Sequence, residues 1–376
     1  MTPLDGTQTT VGPNLAPDLA PDLALRREGA GAYDLQATST AGHAIELNLW
    51  GRPLRVYANA NLSVYTRQKC NAKCGFCVEE LRPLSRGTSL AAQTSVMTDT
   101  DRWLGRLDTS LAALQQLRPS VSITGGEPSR DPALPEILGL LHKHNIRKRT
   151  ITTNGSGLWL QREGKAVVQH LIDGGLQHLN ISRAHVDAGR NNRLMAMHGA
   201  VADGGGLSDT ELRRAICLAR EAGMDVRLSA VLLRDGVRDL SCVDDYLRFA
   251  ASVGCHHVIF RQLMHHDPAT TAPTGVARYN GRQRVAMRPI LRQLDRLKRF
   301  AFVRQVVGYY YYVEVWRTEI AATPVTVTFE GADLGTLERA KQRDRGLVHE
   351  LVFHPSGDLA TTWQPWDGIL GPPTPR

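Results

Sequence analysis

The chain has 376 residues, of which 42% are hydrophobic and 22% are charged, a composition typical of a globular protein with a sizeable core. Its 45 basic and 37 acidic residues leave a formal charge of +8, which permits an anionic partner, but no recognised nucleic-acid motif accompanies that charge. No apolar run approaches the roughly 18 residues of a membrane span, and no secretion signal opens the sequence, so we expect a cytoplasmic protein with reduced or metal-bound cysteines.

The first segment, residues 1–42, is rich in Pro, Ala, Gly, Thr and Asp and nearly repeats itself at residues 16–24. It has little apolar periodicity with which to build a core, so the sequence predicts a disordered, low-complexity tail. We expect order to begin at the short apolar stretches of residues 45–50 and 54–57.

Strand and helix patterns alternate over residues 43–265, which we predict to be the core domain. Short β-rich runs bounded by glycine predict strands, and apolar residues at a 3.6-residue period predict helices. Six strands with helices between them imply a parallel sheet with right-handed crossovers. The predicted strands are residues 62–66, 120–124, 149–153, 178–182, 226–232 and 257–264, and the predicted helices are residues 104–117, 134–144, 165–174, 210–222 and 243–253.

Six βα units are fewer than the eight of a closed barrel. The predicted fold class is therefore α/β, with an open, partial (β/α)6 barrel as the architecture. A doubly wound sheet is the structural alternative, because periodicity alone does not separate the two.

The pattern changes over residues 266–376, which we predict to be a β-rich α+β C-terminal extension packed against the core. Tyr309–Tyr312 alternate between two strand faces, which favours a packed strand over a substrate-pocket wall, and His265-His266-Asp267 is interpreted as a polar loop rather than a metal site. The predicted elements are a polar loop at 266–280, a basic amphipathic helix at 283–300, and strands at 306–316, 325–330 and 347–363, the last with a turn at 354–357.

Residues 70–77 read CNAKCGFC and follow the first predicted core strand. Three thiolates at spacings of four and three can surround one small inorganic core from a single loop, and thiolates are the usual ligands of iron–sulfur clusters. Such clusters normally take four protein ligands, so three leave one iron open to a substrate. A zinc site and a chance group of buried thiols are the alternatives, but the nearest following histidine is His142 and no second CxxC follows.

The CxxxCxxC loop resembles the signature of the radical S-adenosylmethionine (SAM) superfamily. The resemblance implies a [4Fe-4S] cluster held by Cys70, Cys74 and Cys77, whose open iron chelates the amino and carboxylate groups of SAM. It further implies that SAM is cleaved to methionine and a 5′-deoxyadenosyl radical, which abstracts hydrogen from the substrate. Phe76 matches the family's aromatic position near the adenine.

A second motif, Gly125-Gly126-Glu127-Pro128, ends the second predicted core strand and resembles the family's GGEP motif. Two glycines admit close backbone approach, and Glu127 offers an acceptor to an ammonium group. Alone, the motif is compatible with any strand-to-helix turn. Because the motif follows the cysteine loop in the family's order, the resemblance implies that it forms a site for the methionine amino group of SAM.

Further matches follow later strands. Asn154 lies in a TNG-type stretch, and Ser182 matches a SAM-contacting serine. Arg227 and Met264 resemble the molybdenum-cofactor cyclase branch, where a basic residue meets the SAM carboxylate and a methionine packs near the adenine. Taken singly, Ser182, Arg227 and Met264 are explained equally by solvent exposure or core packing.

The resemblance covers about residues 60–265. The cyclase branch carries a second cysteine triplet and a Gly-Gly terminus, whereas here Cys217, Cys242 and Cys255 are scattered. Molybdenum-cofactor synthesis is therefore not assigned, and neither auxiliary-cluster nor cobalamin-binding domains are expected. Polar residues 183–187 and Asn191-Asn192 follow the fourth strand, where they either bind substrate or cap a loop.

Together these features predict a radical SAM enzyme that acts on a small molecule or peptide, with natural-product biosynthesis as one setting. Its cofactors would be a [4Fe-4S] cluster and SAM, its electron donor an external flavodoxin- or ferredoxin-type protein, and neither nucleic acid nor membrane is an expected partner. The alternatives are an RNA-modifying radical SAM enzyme, favoured only by the basic charge, and a non-catalytic iron–sulfur protein for electron transfer or sensing. The resemblance does not identify substrate or catalytic residues, because variable loops select them.

Overall fold

The computed structural model describes residue 27 and residues 31–34, 44–77, 94–197, 205–265, 275–308 and 310–371. The remainder of the predicted tail, the pair His266-Asp267 and Tyr309 lie outside the described residues. Among the residues described, no helix is long and apolar enough to span a membrane.

Seventeen strands and nine α-helices are assigned in the described ranges, with a 3-10 helix at Pro128–Arg130. The strands are β1 (Ala32–Asp34), β2 (Ala44–Leu49), β3 (Arg52–Tyr57), β4 (Asn61–Thr66), β5 (Ser120–Gly125), β6 (Arg149–Thr153), β7 (Gln161–Arg162), β8 (Lys165–Ala166), β9 (His178–Ser182), β10 (Asp225–Leu232), β11 (His257–Gln262), β12 (Ala301–Val307), β13 (Tyr311–Ile320), β14 (Thr323–Ala332), β15 (Leu347–Val348), β16 (Leu351–Phe353) and β17 (Leu359–Ala360). The helices are α1 (Thr100–Ala113), α2 (Leu134–Lys143), α3 (Val167–Asp173), α4 (Ala188–Leu194), α5 (Asp209–Glu221), α6 (Leu240–Ser252), α7 (Gly275–Gln283), α8 (Met287–Leu294) and α9 (Leu334–Arg343).

The main sheet has twelve strands in the order β1-β12-β13-β14-β11-β10-β9-β6-β5-β4-β16-β17. Its six predicted core strands, β4, β5, β6, β9, β10 and β11, are parallel and lie side by side in chain order. In a doubly wound sheet the strand order reverses at a switch point, whereas this order runs in one direction. The mixed α/β class with a largely parallel sheet is confirmed, and the doubly wound alternative is wrong.

The six core strands have an apolar and a polar face, because side chains alternate along each strand. The apolar face is buried in the core and carries residues such as Val64, Ile123 and Leu228. The opposite face, which we call the inner face, carries polar side chains such as Ser63 and Asn180. With right-handed crossovers in one direction, the helices cover the apolar face and leave the inner face for a site.

The sheet is strongly curved. A cavity of about 230 Å³ is lined both by Asn61 and Ser63 of β4 and by Met264, which follows β11. In a flat sheet, the five strand spacings between β4 and β11 would separate them by about 24 Å. The order nevertheless has two ends, β1 and β17, in the part of the chain described, so the sheet is open.

The C-terminal segment extends the core sheet on both sides. Strand β14 pairs in parallel with β11, and β16 pairs in parallel with β4. Strand β15 joins β3 and β2 in a second, three-stranded sheet. Residues on both sides of position 265 therefore share one sheet, which differs from the predicted picture of an extension packed against a finished core.

Two predicted C-terminal elements are wrong in detail. The helix expected at 283–300 is shorter and is α8, Met287–Leu294, while α7 ends at Gln283 where it was expected to begin. Pro289 inside a continuous helix would remove a backbone hydrogen bond, whereas it fits the first turn of α8. The strand expected at 306–316 is a hairpin, in which the Gly308 amide donates to the Tyr311 carbonyl (2.8 Å). Helix α9 was not predicted.

The predicted tail also needs correction where it is described. Strand β1 pairs in parallel with β12. The Arg27 amide donates to Gln305 Oε1 (3.1 Å), and the Arg27 guanidinium bonds Glu314, whose side chain is fully buried. Arg27 is held against the sheet because the buried Glu314 carboxylate requires a cationic partner. The low-complexity pattern of the N-terminal segment gives no sign of this ion pair.

Candidate active site

The cysteine loop is held at its start and near its middle by hydrogen bonds from its backbone amides. At its start, the amides of Arg67 and Gln68 donate to Asp131 Oδ2 (2.9 and 3.2 Å). Further along, the Lys73 amide donates to the Met195 carbonyl (3.2 Å), and Ala72 forms an antiparallel bridge with Met197, just after α4. The loop therefore lies over the carboxyl end of β4, where ligands gather in parallel α/β folds.

The three thiols of this loop differ in exposure. Cys70 is exposed, whereas Cys74 and Cys77 are partly buried. Burial raises the pKa of the Cys74 thiol to about 12, and the neighbouring Cys70 adds to that rise. A thiol of this kind is protonated alone and would ionise on coordination, because a bound metal deprotonates its thiol ligands.

No three His, Cys, Asp or Glu side chains in the described ranges are close enough to hold a single metal ion. A [4Fe-4S] cluster does not require such closeness, because each thiolate binds a different iron. Three thiols from one short loop at the carboxyl edge of the sheet fit the cluster that the resemblance implies.

Gly125 and Gly126 bring the end of β5 against the start of the cysteine loop. Gly125 has φ +117°, a conformation that favours glycine. A Cβ atom on Gly126 would lie 2.6 Å from the Cys70 amide nitrogen and closer still to the Gln68 carbonyl oxygen. The Glu127 amide also donates to that carbonyl (3.3 Å). The glycine pair therefore fixes where the cysteine loop begins.

Glu127 is buried and its carboxylate already has four donors. Oε1 accepts from the Ser129 amide (2.9 Å), the Ser129 hydroxyl (2.6 Å) and the Thr153 hydroxyl, and Oε2 accepts from the Asn154 amide (2.7 Å). Burial raises the pKa of Glu127, although these hydrogen bonds oppose the rise. The carboxylate thus joins the ends of β5 and β6, a positioning role that the motif alone did not predict.

Asn154 connects this junction to the cysteine loop. Its side-chain amide donates to Asn71 Oδ1 (2.9 Å) and lies 3.8 Å from the Cys70 sulfur. The Ser156 hydroxyl donates to the same Asn71 oxygen (3.1 Å). The structure therefore brings the cysteine loop, the glycine pair, Glu127 and Asn154 together.

Helix α7 covers the other side of the loop, where the sequence predicted only a polar loop. A Cβ atom on Gly75 would lie 2.7 Å from the Tyr279 ring, and the Phe76 and Tyr279 ring centroids are 6.5 Å apart. Asn280 donates from its side chain to the Met264 carbonyl (3.0 Å). Phe76 and Met264 are thus connected through α7. Tyr279 was missed because two glycines disguise the helical pattern.

Ser182 and Arg227 do not meet at the same place. Ser182 ends β9 and pairs in register with Ser229. Arg227 lies earlier in β10, where its guanidinium bonds Asp225 and lies 2.7 Å from His178 Nδ1, both at the amino ends of their strands. The structure therefore does not bring the Arg227 guanidinium to the cysteine loop, because a nearer carboxylate binds it.

Polar residues after β9 are mainly structural. Arg183 is buried and donates to the carbonyls of His185 (3.0 Å) and Leu207 (3.1 Å). Asn191 Oδ1 accepts from the Ala184 amide (2.8 Å). Where the sequence left substrate binding and loop capping open, these contacts favour capping for Arg183 and Asn191. His265 lies 3.0 Å from Asp333 Oδ2 and pairs with it.

Comparison with known proteins yields distant relatives. No protein-family model matches the chain. A probable GTP 3′,8-cyclase from Methanococcus maripaludis is 26% identical over 200 residues, which are 53% of this chain and 57% of that protein. A PqqA peptide cyclase from Granulibacter bethesdensis is 25% identical over 174 residues, 46% of this chain and 39% of that protein. The chain thus matches little more than half of the length of the first of these curated relatives and well under half of the second.

Among solved structures, the radical S-adenosylmethionine methyltransferase TsrM from Kitasatospora setae aligns with 54% of this chain and 36% of its own, at 19% identity. Its TM-score of 0.34 is too low to establish a common fold. On the sequence matches, the chain is distantly similar to radical SAM enzymes.

Proposed function

We propose that this protein is a radical SAM enzyme, with a [4Fe-4S] cluster on Cys70, Cys74 and Cys77 and SAM beside it. The observation that carries the proposal is the junction at the carboxyl ends of β4, β5 and β6, where the Gly126 backbone contacts the cysteine loop and Asn154 links it to Glu127. When bound, the cluster would supply the electron that cleaves SAM to methionine and a 5′-deoxyadenosyl radical. The distant relatives support this reaction class.

The residues of the chain would then bind and orient SAM. Gly125 and Gly126 present backbone groups at the edge of the loop, and the buried Glu127 joins the ends of β5 and β6. Phe76, packed against Tyr279, would exclude water from one side. The curved sheet supports a partial barrel in which these groups face a common interior.

We propose Phe76, Gly125, Gly126, Glu127, Asn154, Ser182 and Met264 as the SAM-facing set, with Glu127 acting mainly by position. Arg227 is omitted because Asp225 holds its guanidinium. The substrate would be a small molecule or a peptide, and the electron would come from an external flavodoxin- or ferredoxin-type donor.

The test is SAM cleavage by the anaerobically purified and reconstituted protein. After reduction and addition of SAM, we expect 5′-deoxyadenosine from the wild type and none from Cys74→Ala. Cys217→Ser is the matched control, because Cys217 is an exposed thiol on α5. Equal product from wild type and Cys74→Ala, or none from a wild type with a full iron load, would contradict the proposal.

A further inference from the structure

Four aromatic side chains contribute to the wall of the cavity of about 230 Å³ on the inner face. Tyr57, Tyr310, Tyr311 and Trp363 contribute rings, and β4 contributes polar side chains at Asn61 and Ser63. The Asn61 amide donates to the Ser63 hydroxyl (3.3 Å) and accepts from Ser122 (3.2 Å), which fixes a hydrogen-bonding edge. The cavity thus combines flat aromatic surfaces with polar groups, among which Asn61 and Ser63 are fixed by hydrogen bonds.

Among the residues that the structure describes, the Tyr65 side chain connects this cavity to the glycine pair of the candidate active site. The Trp363 ring meets the Tyr65 ring edge-on at 6.3 Å between centroids. Tyr65 Cδ1 in turn lies 3.1 Å from the position of a Cβ atom on Gly125. Met264 makes a second connection, because it lines the cavity while its carbonyl accepts from α7, which covers the cysteine loop.

The wall of the cavity is close to neutral. Its described lining residues include neither Lys nor Arg. Its carboxylate, Glu350, is matched by Lys341 (3.0 Å) and by the Trp363 indole N–H (3.2 Å). Burial raises the pKa of Tyr57, raises that of Tyr311 to about 12, and lowers that of His349, so these groups are uncharged near neutral pH.

This chemistry selects for a class of ligand. The described cavity walls supply no Lys or Arg side chain to pair with the phosphate of a ligand. Because burying an unpaired charge costs free energy, a phosphate-bearing ligand is disfavoured. Aromatic walls favour a flat ring, whose edge can hydrogen-bond to the side made by Asn61 and Ser63. The volume is below the roughly 300 Å³ at which pockets for drug-sized ligands begin, so one ring system fits better than a nucleotide.

Resting on the function proposed above, we infer that this cavity holds the substrate and that the group it takes is an uncharged aromatic ring with a polar edge, a phenol or an indole, carried by an amino acid or peptide. The substrate ring would then be connected through Tyr65 to the glycine pair, on the same inner face as the SAM-facing set.

The test is binding, measured by saturation-transfer NMR on the full chain with its cluster reconstituted. The probes are N-acetyl-L-tyrosinamide, N-acetyl-L-tryptophanamide and GTP. We expect signals from one or both aromatic amides and none from GTP. A signal from GTP alone, or silence from all three probes with folded protein, overturns the inference.

Two variants locate the binding. Leu337→Trp adds a ring from α9 into the cavity and should weaken the aromatic amide about tenfold. Leu104→Trp makes the same change on α1, away from the cavity, and should leave binding unchanged. Asn61→Leu removes the polar edge and should abolish any preference for N-acetyl-L-tyrosinamide over N-acetyl-L-phenylalaninamide, which keeps the test decisive if Leu337→Trp does not fold.

The two proposals fail separately. Formation of 5′-deoxyadenosine without aromatic binding, or with equal weakening in Leu337→Trp and Leu104→Trp, contradicts the cavity assignment and leaves the reaction class intact. Aromatic binding that Leu337→Trp weakens and Leu104→Trp does not, in a cluster-loaded protein that does not cleave SAM, contradicts the reaction class and leaves the binding site.

Discussion

The hydrogen bonds of the Glu127 carboxylate and the absence of a Cβ atom on Gly126 fix how the ends of the strands meet the cysteine loop. The carboxylate of Glu127 has the Ser129 and Thr153 hydroxyls and two backbone amides as donors, so it positions strands while lying beside the candidate SAM site. Gly126 leaves no room for a side chain against the Gln68 and Cys70 backbone. A motif can name these residues, but only the packed structure shows that one acts by its hydrogen bonds and the other by its lack of a Cβ atom.

Gly126→Ala should displace the cysteine loop. Overpacking of this kind costs about 1–3 kcal/mol of stability. We expect a folded protein with lower thermal stability and a strongly reduced iron and sulfide content per chain. Gly139→Ala is the control, since a Cβ atom at this exposed position on α2 would meet nothing within 4 Å. Equal cluster content in the two variants would show that the close approach at Gly126 is unimportant.

Asp225 offers a test by pH at the opposite end of the strands. Burial alone would raise the pKa of Asp225, but hydrogen bonds from His178 and His257 and the charge of Arg227 lower it well below its usual range. A lowered folded-state pKa contributes stability above the unfolded pKa near 4 and loses it as the pH falls.

At pH 7, Asp225→Asn should cost about 1 kcal/mol, a modest figure because the carboxylate is partly exposed and screened by solvent. Urea unfolding at a series of pH values should show the difference from wild type shrinking below about pH 4. A difference that grows on acidification would contradict the assignment of Asp225 as the ionised partner of Arg227.

At the scale of elements, the core strands were predictable and the covering helix was not. β6 and β9 have the predicted bounds, because short β-branched runs ended by Asn-Gly or polar loops leave few alternatives. Helix α7 contains Gly275 and Gly281 and forms where Tyr279 packs on the cysteine loop, a tertiary contact without a local signal. The sequence also predicted wrongly where the Arg227 guanidinium lies. It bonds Asp225 two residues earlier and lies beside His178, which only the pairing of β9 and β10 brings near.

Tyr279→Ala should open the cover that α7 makes over the loop. The ring contacts Gly75 and Phe76, so its loss exposes one side of the candidate cluster site to water and oxidants. We expect several-fold faster bleaching of the reconstituted cluster in air, with near-normal initial loading. Tyr279→Phe keeps the ring and should bleach at the wild-type rate. Identical rates for wild type and Tyr279→Ala would mean that α7 does not shelter the site.

For the whole molecule, one curved sheet joins segments that the sequence suggested were separate. β14 and β16 come from the C-terminal part yet flank the parallel core, and β1 pairs at the far edge. Such pairings between distant segments leave no local pattern, because each strand is specified by neighbours far away in sequence. The order of the six core strands, by contrast, follows from short right-handed crossovers.

Arg27 tests whether the N-terminal segment belongs to this sheet. Its guanidinium bonds the fully buried Glu314 and lies over the rings of Phe302 and Trp316 (4.5 and 4.7 Å). Arg27→Ala leaves that carboxylate without its cation and should cost about 3 kcal/mol in urea unfolding. Arg55→Ala breaks only an exposed pair with Glu46 and should cost less than about 1 kcal/mol. An equal loss of unfolding free energy in the two variants would show that Arg27 does not contribute to the folded sheet.

Electron paramagnetic resonance of the reduced, reconstituted protein, before and after SAM is added, tests most directly whether the cluster binds SAM. We expect a [4Fe-4S] signal that changes when SAM binds, and no such signal from Cys74→Ala. A fully loaded cluster whose spectrum is unchanged by SAM would contradict the radical SAM assignment and favour an electron-transfer or sensor protein.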